Sequence, residues 1–185
     1  MRIVGGRFRG RNLTALGAGD MAAQLRPTSD RVREALFNVL HSGGYDMVGA
    51  RVLDLFAGTG ALGLEALSRG AEWVLFVEDG AKGRNLIRKN IDLLQVDSAA
   101  QLFRRDATRL GPSKGAAFSV VFADPPYGKG LGSKALAAAR DGGWLCQDAV
   151  FVLEEGSDVP LPAGFRVADT RRYGDSVLQI GRVSL

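Results

Sequence analysis

The chain is poor in cysteine and histidine and has no long apolar run, and each of these shortages excludes a class of protein. It has one cysteine, Cys146, and one histidine, His41, among 185 residues. A disulfide within the chain is therefore impossible, and a Cys/His zinc site is implausible. No apolar run approaches the roughly 18 residues of a membrane-spanning helix, and no apolar signal-peptide segment follows Arg2. We therefore expect a protein of the reducing cytoplasm, without a membrane anchor or a metal ion.

Lysine is missing from the first 33 residues, yet this segment carries all of the excess positive charge. Residues 1–33 hold seven arginines and two aspartates, a net charge of +5, whereas the other 152 residues hold 17 basic and 18 acidic groups. The planar guanidinium of arginine suits phosphate groups better than a point charge does, so a nucleic acid is the obvious partner. Composition alone leaves ordinary solvated surface charge as an equal alternative. The candidate nucleic-acid contacts are Arg7, Arg9, Arg11, Arg26 and Arg31.

The first 44 residues are predicted to form an extension to a larger domain. Residues 2–13 alternate basic and apolar residues with pairs of glycine, which predicts a short β-hairpin with an arginine-bearing face. A helix with one apolar stripe follows, between the start signal Pro27-Thr28 and the stop signal Gly43-Gly44. The extension therefore consists of a small hairpin and a helix.

From residue 51 onward strands and helices alternate, which predicts an α/β fold with a mostly parallel sheet and helices on both faces. Two consecutive strands at the end, joined at 173–175, add an antiparallel C-terminal strand. The seven predicted strands are Val52–Phe56, Trp73–Val77, Leu102-Phe103, Ser119–Ala123, Val150–Leu153, Phe165–Arg172 and Ser176–Val183. We place the domain boundaries at 1–44 and 45–185. Ligands of such sheets bind beyond the carboxyl ends of the strands, and the motifs below all follow strands.

A glycine-rich turn follows the first of these strands. Gly58, Gly60 and Gly63 spell GxGxxG before a helix, where small residues let a ligand approach the helix N–H groups. The motif fits a dinucleotide-binding dehydrogenase as well as a methyltransferase, and Glu78, which ends the second strand, can bind ribose hydroxyls in either. Asp54 favours the methyltransferase, because a carboxylate inside the first strand can reach the amino-acid end of a methyl donor. The alternative for Asp54 is a cap on the N–H groups of the glycine loop.

Asp106-Ala107 follows the third strand and is a further candidate contact for a nucleoside cofactor. A carboxylate at this place can accept the adenine amino group. The alternative is a helix N-cap, because aspartate is a favoured cap residue. The presence of Asp54 and Glu78 earlier in the chain favours the cofactor interpretation.

The fourth strand ends in Asp124-Pro125-Pro126-Tyr127, which indicates chemistry on a planar amine. Two consecutive prolines fix φ and remove two N–H donors, so the carbonyls of Asp124 and Pro125 are rigid acceptors. An exocyclic amine that gives both hydrogens to such acceptors can turn its lone pair towards a methyl donor. Tyr127 offers a ring on which a base can stack, worth about 1–3 kcal/mol. The alternative, a proline-rich turn, is weaker behind a strand–GxGxxG–helix unit.

These motifs together resemble the class I (Rossmann-like) methyltransferases that act on exocyclic amines. The N-terminal part is more specific, because residues 2–11 and 26–40 resemble the RsmD family, bacterial methyltransferases of guanine N2 in 16S ribosomal RNA, and the likeness runs to Tyr173-Gly174. The resemblance implies S-adenosylmethionine as the cofactor and the guanine at position 966 of that RNA, in the usual numbering, as the target. It also implies a small-subunit assembly particle as the partner, and we expect a monomer.

Three alternatives stay open at this point. An adenine-N6 methyltransferase on DNA or RNA would use the same Asp-Pro-Pro-Tyr loop, although the chain has no room for the recognition domain that sequence-reading DNA enzymes usually need. An NAD-dependent oxidoreductase would use the glycine motif. A non-catalytic RNA-binding or assembly factor would keep the fold without the reaction.

Overall fold

The computed structural model describes residues 1–15 and 29–185. Within these residues, seven strands form one sheet, namely β1 (Arg51–Leu55), β2 (Trp73–Val77), β3 (Ala100–Phe103), β4 (Phe118–Ala123), β5 (Leu145–Glu155), β6 (Phe165–Tyr173) and β7 (Ser176–Val183). The α-helices of the same ranges are α1 (Asp30–Ser42), α2 (Ala61–Ser68), α3 (Ala81–Leu94) and α4 (Leu131–Asp141). Short 3-10 turns lie at Gly6–Phe8, Asp97–Ala99 and Ala107–Arg109.

The order of strands in the sheet is β3-β2-β1-β4-β5-β7-β6. The first five strands run parallel, and β7 runs antiparallel between β5 and β6. This confirms the predicted α/β fold, its seven strands and its antiparallel end. The winding reverses between β1 and β4, whose carboxyl ends lie side by side with Leu55 opposite Ala123. Such a reversal opens a crevice at the carboxyl ends, where ligands of open α/β sheets bind.

Each face of the sheet carries its own apolar core, because successive side chains of a strand point to opposite faces. Helices α1, α2 and α3 cover one face together with strand residues such as Val52 and Phe76. On the other face, α4 and the turn at Ala107–Arg109 pack against strand residues such as Leu53 and Leu75. The second face therefore has less helical cover than the first.

All eight residues of α2 are buried, because the N-terminal segment lies on the side of this helix that faces away from the sheet. The amide of Val4 donates to Glu65 Oε2 at 2.9 Å, and the amide of Phe8 donates to Ser68 Oγ at 2.9 Å. A helix that is apolar all round needs such a cover. The extension therefore shares a core with the α/β domain.

The predicted N-terminal hairpin is reduced to a single β-bridge between Arg2 and Asn12. The backbone turns at Gly6 and Gly10, whose φ angles of 73° and 85° interrupt the extended conformation. The amides of Ile3, Gly10 and Leu13 still donate across the loop, whereas those of Val4 and Phe8 donate to side chains of α2. The segment is therefore a folded-back loop on α2 rather than an independent two-stranded unit.

Helix α1 begins at a serine cap, since the Oγ of Ser29 accepts the N–H of Val32 at 3.3 Å. The helix is followed by Gly43-Gly44, so its predicted end is confirmed. The predicted start signal Pro27-Thr28 and the candidate contact Arg26 lie outside the described residues.

A buried ion network ties α1 to α2. The side chain of Arg33 is fully buried, with Nη2 at 2.9 Å from Asp30 Oδ1 and Nε at 3.9 Å from Glu65 Oε2. The other oxygen of Glu65 lies 2.9 Å from Arg69 Nε. Because a buried charge is tolerated only when it is paired, this network fixes the extension on the glycine-loop helix.

No helix in residues 1–15 and 29–185 is long and apolar enough to cross a membrane. The same ranges contain no group of three His, Cys, Asp or Glu side chains that are placed to hold a metal ion. Cys146 is a free thiol of intermediate exposure.

Candidate active site

The glycine loop between β1 and α2 is a sharp and strained turn. Gly58 and Gly60 have φ angles of 56° and 79°, and the non-glycine Phe56 also has a positive φ of 59°. A bulky residue in this conformation is uncommon and costs energy. Strain of this kind persists where the surrounding structure holds it.

Two buried carboxylates hold this loop. Asp54 Oδ2 accepts the N–H of Gly63 at 2.9 Å, which is the capping role that the sequence left as an alternative. Glu78 accepts the N–H of Gly58 on Oε2 at 2.8 Å and the N–H of Gly80 on Oε1 at 2.7 Å. The structure therefore brings together four predicted site residues, Asp54, Gly58, Gly60 and Glu78, at the carboxyl ends of β1 and β2.

Both carboxylates are electrostatically primed for a cationic or hydrogen-bonding ligand. Burial raises the pKa of the Asp54 carboxyl to about 7, the hydrogen bond from Gly63 opposes this, and the charge of Glu78 adds to it. Burial also raises the pKa of Glu78. Desolvation penalises the charged form of a carboxyl group, so a cation that binds beside Asp54 would restore its ionisation.

Gly83 on α3 leaves room for Glu78 to occupy this position. A Cβ atom at Gly83 would lie 2.8 Å from Glu78 Cδ and 2.9 Å from the carbonyl oxygen of Gly58. Sequence reasoning did not single out this glycine, because it lies inside a helix and outside the GxGxxG spacing. The close approach of α3 to the glycine loop is therefore part of the site.

Asp106 lies at the same edge of the sheet and caps a short turn. Its Oδ1 accepts both the amide and the hydroxyl of Thr108, at 2.8 Å and 2.7 Å. The bond from the Thr108 hydroxyl is the main cause that lowers the pKa of Asp106. The capping alternative is thus observed, and the neighbouring Ala107 is buried in the core. An ionised Asp106 with several lone pairs still has acceptor capacity for an amine.

The Asp124–Tyr127 loop continues directly from β4 into the crevice. The amide of Asp124 donates to the Leu55 carbonyl oxygen at 3.5 Å, so the loop starts beside the glycine turn. Pro125 is buried against α4, where a Cβ atom at Gly132 would lie 3.2 Å from its Cγ. The two proline rings and this packing hold the loop rigidly at the point where the winding of the sheet reverses.

Tyr127 is held by two side chains that the sequence reasoning missed. Its hydroxyl lies 2.8 Å from Glu154 Oε1 and 2.8 Å from Ser176 Oγ. Burial raises the pKa of this hydroxyl, and the charge of Glu154 adds to the rise. A Cβ atom at Gly156 would lie 3.1 Å from Tyr127 Cδ2, so any larger residue at this position would press on the ring. An acidic residue at the end of an apolar strand, the signal that identified Glu78, is also present at Glu154.

The predicted arginine contacts within the described residues are exposed. Arg7 and Arg9 are exposed on the turn that contacts Ser68, at the far end of α2 from Gly60, and a helix of this length spans about 12 Å. Arg11 is exposed in the same segment, and Arg31 is exposed on the first turn of α1. Arg7 and Arg9 therefore lie at the part of the extension that is remote from the glycine loop.

The edge strand β6 brings two exposed arginines to the catalytic edge, which the sequence reasoning did not consider. Arg171 and Arg172 lie just before Tyr173, which pairs with Ser176. Ser176 is in turn bonded to Tyr127. The antiparallel return of β7 thus places the end of β6 next to the Asp124–Tyr127 loop.

The sheet order and the loops at its carboxyl edge are those of class I methyltransferases. A 16S rRNA N2 methyltransferase of Thermus thermophilus, solved with AdoMet and guanosine, shares this fold with a TM-score of 0.62 at 23% identity, over 86% of this chain and 44% of that one. Escherichia coli yhhF is more similar, with a TM-score of 0.84 at 35% identity, over 100% of this chain and 98% of that one.

The sequence comparisons are more specific than the fold. The family model described as Conserved hypothetical protein 95 matches residues 1–182. Ribosomal RNA small subunit methyltransferase D of Escherichia coli K12 is 40% identical over 163 residues, 88% of this chain and 78% of its own length. The protein of the same name from Haemophilus influenzae is 37% identical over 87% of this chain and 81% of its own. The chain belongs to this family, the RsmD family.

Proposed function

We propose that this protein transfers a methyl group from S-adenosylmethionine to the exocyclic N2 amine of a guanine in small-subunit (16S) ribosomal RNA. The observation that carries the proposal is the rigid Asp124–Tyr127 loop, which starts beside the Asp54–Glu78 glycine loop at the reversal point of the sheet. Ribosomal RNA as the substrate is supported by the relatives named above, and guanine N2 by the family resemblance.

The residues present fit the cofactor. An ammonium group on its amino-acid end would pair with Asp54, a carboxyl whose pKa is raised by burial. Glu78 would accept the ribose hydroxyls, and the glycine backbone at Gly58 and Gly60 permits close approach. Asp106 and Ala107 would contact the adenine. When bound, S-adenosylmethionine supplies a methyl group on a positively charged sulfur.

The chain's own contribution is to position the amine. The carbonyls of Asp124 and Pro125 would accept its two hydrogens, which turns the nitrogen lone pair away from the loop. The ring of Tyr127, fixed by Glu154 and Ser176, would stack on the base, worth about 1–3 kcal/mol. Orientation of this kind can supply a large part of the acceleration in an in-line group transfer.

RNA binding is proposed for the extension at 1–44, with the catalytic domain at 45–185. Arg7, Arg9 and Arg11 lie on the N-terminal segment and Arg31 on α1, and Arg26 is included from the sequence alone. We assign them to phosphate groups, which position an RNA without reading its sequence. A guanine in a loop is extracted more readily than a paired one. The proposed setting is a monomer that acts on a small-subunit assembly particle in the cytoplasm.

The test is transfer of a tritiated methyl group to hypomethylated small subunits, followed by identification of the nucleoside that gained it. We expect N2-methylguanosine from the wild-type protein. N6-methyladenosine would replace the proposal with its adenine alternative, and no transfer would refute it. The double variant Pro125→Ala with Pro126→Ala should lose turnover and keep the cofactor dissociation constant, because it loosens the two carbonyls assigned to the amine and leaves the glycine loop unchanged. Full activity in this variant would contradict the assigned role of the loop.

A further inference from the structure

A second pocket lies on the α4 face of the sheet, towards the amino ends of the strands and away from the Asp124–Tyr127 loop. Its volume is about 450 Å³, which is within the range of small-molecule sites. It is lined by Arg51, Trp73, Leu75, Gln101, Phe103, Ser113, Lys114, Gly115, Ala116, Phe118 and Trp144. None of these residues belongs to the site described above.

The pocket exists because the connection from β3 to β4 has little helical structure. Residues 104–117 contain only the 3-10 turn at Ala107–Arg109, whereas α2 and α3 cover the opposite face of the same strands. Leu75, Trp73 and Phe103 therefore face this gap. The backbone between Ser113 and Ala116 forms an exposed rim.

Aromatic rings form most of the wall. The ring of Trp144 lies 6.0 Å from that of Phe103 and 6.3 Å from that of Phe118, centroid to centroid. Trp73 and Phe103 are only half-buried, so their rings are accessible from the gap. Aromatic walls with accessible rings are stacking platforms for bases.

The polar part of the pocket is cationic. The guanidinium carbon of Arg51 lies 5.3 Å from the ring centroid of Phe118 and 5.9 Å from that of Trp73. Its Nε is buried and has no hydrogen-bond partner within the described residues. Lys114 is exposed on the rim, and none of the described lining residues is acidic. A planar ligand that carries negative charge can stack on the aromatic rings and pair with the cationic side chains of this pocket.

We propose that this pocket binds one nucleotide of the substrate RNA strand, at a distance from the target guanine. The base stacks on Trp73 and Phe103, and the phosphate lies at Lys114 and Arg51. This inference rests on the proposed function, because the strand is the one whose target base reaches Tyr127. The six strand steps from Phe118 to Asp124 span about 20 Å, so the two positions lie several nucleotides apart on one strand.

Intrinsic fluorescence isolates this pocket, because both tryptophans of the chain, Trp73 and Trp144, line it. In the variant Trp144→Phe, Trp73 is the remaining tryptophan. We expect a single-stranded RNA of about six nucleotides to quench its emission. Lys114→Ala should weaken RNA binding roughly tenfold. It should also lower by about one the slope of log affinity against log salt concentration. The matched control is Lys89→Ala, an exposed lysine of α3, which should change neither.

Absence of quenching at RNA concentrations that saturate the protein in a filter-binding assay would overturn the proposal, as would equal losses in the two lysine variants. Guanosine monophosphate that quenches as well as the RNA at equal concentration would show a site for a free nucleotide and would also overturn it. Trp73→Leu, which keeps the site apolar, should raise the RNA KM about 5- to 100-fold and keep the cofactor Kd. The two proposals can fail independently. If RNA quenches the fluorescence but no tritiated methyl group is transferred, the proposed function fails and the pocket proposal stands.

Discussion

Lowering the pH should weaken cofactor binding through Asp54. Burial raises the pKa of this carboxyl to about 7 in the unliganded protein. An ammonium group on the ligand pairs with the ionised form only, so binding below pH 7 must expel a proton from Asp54. The free energy of that deprotonation is taken from the binding free energy. Affinity therefore falls as the pH falls through 7.

The size of the effect follows from the ionised fraction. With a pKa of about 7, half of the Asp54 carboxyls are ionised at pH 7 and about 3% are ionised at pH 5.5. The apparent affinity should fall roughly 15-fold over this interval, which is about 1.6 kcal/mol. An α-amino group stays protonated throughout, since its pKa is about 7.7–8.0. Burial also raises the pKa of Glu78, but a neutral carboxyl still accepts a hydroxyl hydrogen.

Isothermal titration calorimetry at pH 7 and pH 5.5 measures this fall. Repeating the titration in buffers of different ionisation enthalpy counts the proton, and we expect release of about one per ligand at pH 5.5. The control is Asp54→Asn, whose amide oxygen can still accept the N–H of Gly63. This variant should bind the cofactor weakly at both pH values, and its affinity should not change between them. Equal affinity of the wild-type protein at the two values, or an unchanged slope in the variant, would refute the reasoning.

Three further changes test the extension, the Tyr127 ring and the buried network. Arg7→Ala with Arg9→Ala should weaken RNA binding in a filter-binding assay and reduce its salt dependence by about two phosphate contacts. An unchanged salt dependence would show that neither arginine contacts RNA. Gly156→Ala places a methyl group 3.1 Å from Tyr127 Cδ2, so kcat should fall with cofactor Kd unchanged, and normal kcat would contradict the ring's role. Glu65→Ala should cost about 3–5 kcal/mol in urea unfolding, because it removes the buried carboxylate that pairs with Arg33 and Arg69; a loss under 1 kcal/mol would contradict this.

The alternating part of the fold was predictable because each element carries its own local pattern. β2 and β7 have the predicted bounds, at Trp73–Val77 and Ser176–Val183. β5 is longer than the predicted Val150–Leu153. Its first half contains Asp148, which is exposed and has a φ of 60°, so no apolar run marked it as strand.

The site was predictable only as far as its motifs are local. Asp54, Glu78 and the Asp124–Tyr127 loop each end or follow an apolar strand, and parallel strands bring such positions to one edge. The clamp on Tyr127 comes from Glu154 and Ser176, which are 27 and 49 residues away in the chain. They meet because β7 inserts between β5 and β6, and nothing in either segment alone encodes that order.

The location of the arginines was not predictable for a related reason. Composition identifies the positive charge at the N-terminus, but its position depends on which element the first residues pack against. Hydrogen bonds from Val4 to Glu65 and from Phe8 to Ser68 decide this. They carry Arg7 and Arg9 to the end of α2 that is remote from the glycine loop.

The cover over α2 also sets an order of events during protein synthesis. The partners of this segment lie far downstream in the chain, since Val4 and Glu65 are 61 positions apart and Thr14 and Asn90 are 76 positions apart. At about 5–20 residues per second, the segment waits roughly 4–15 s for its last partner. A segment that is made before α2 therefore completes the fold only after α2 and α3 have followed it.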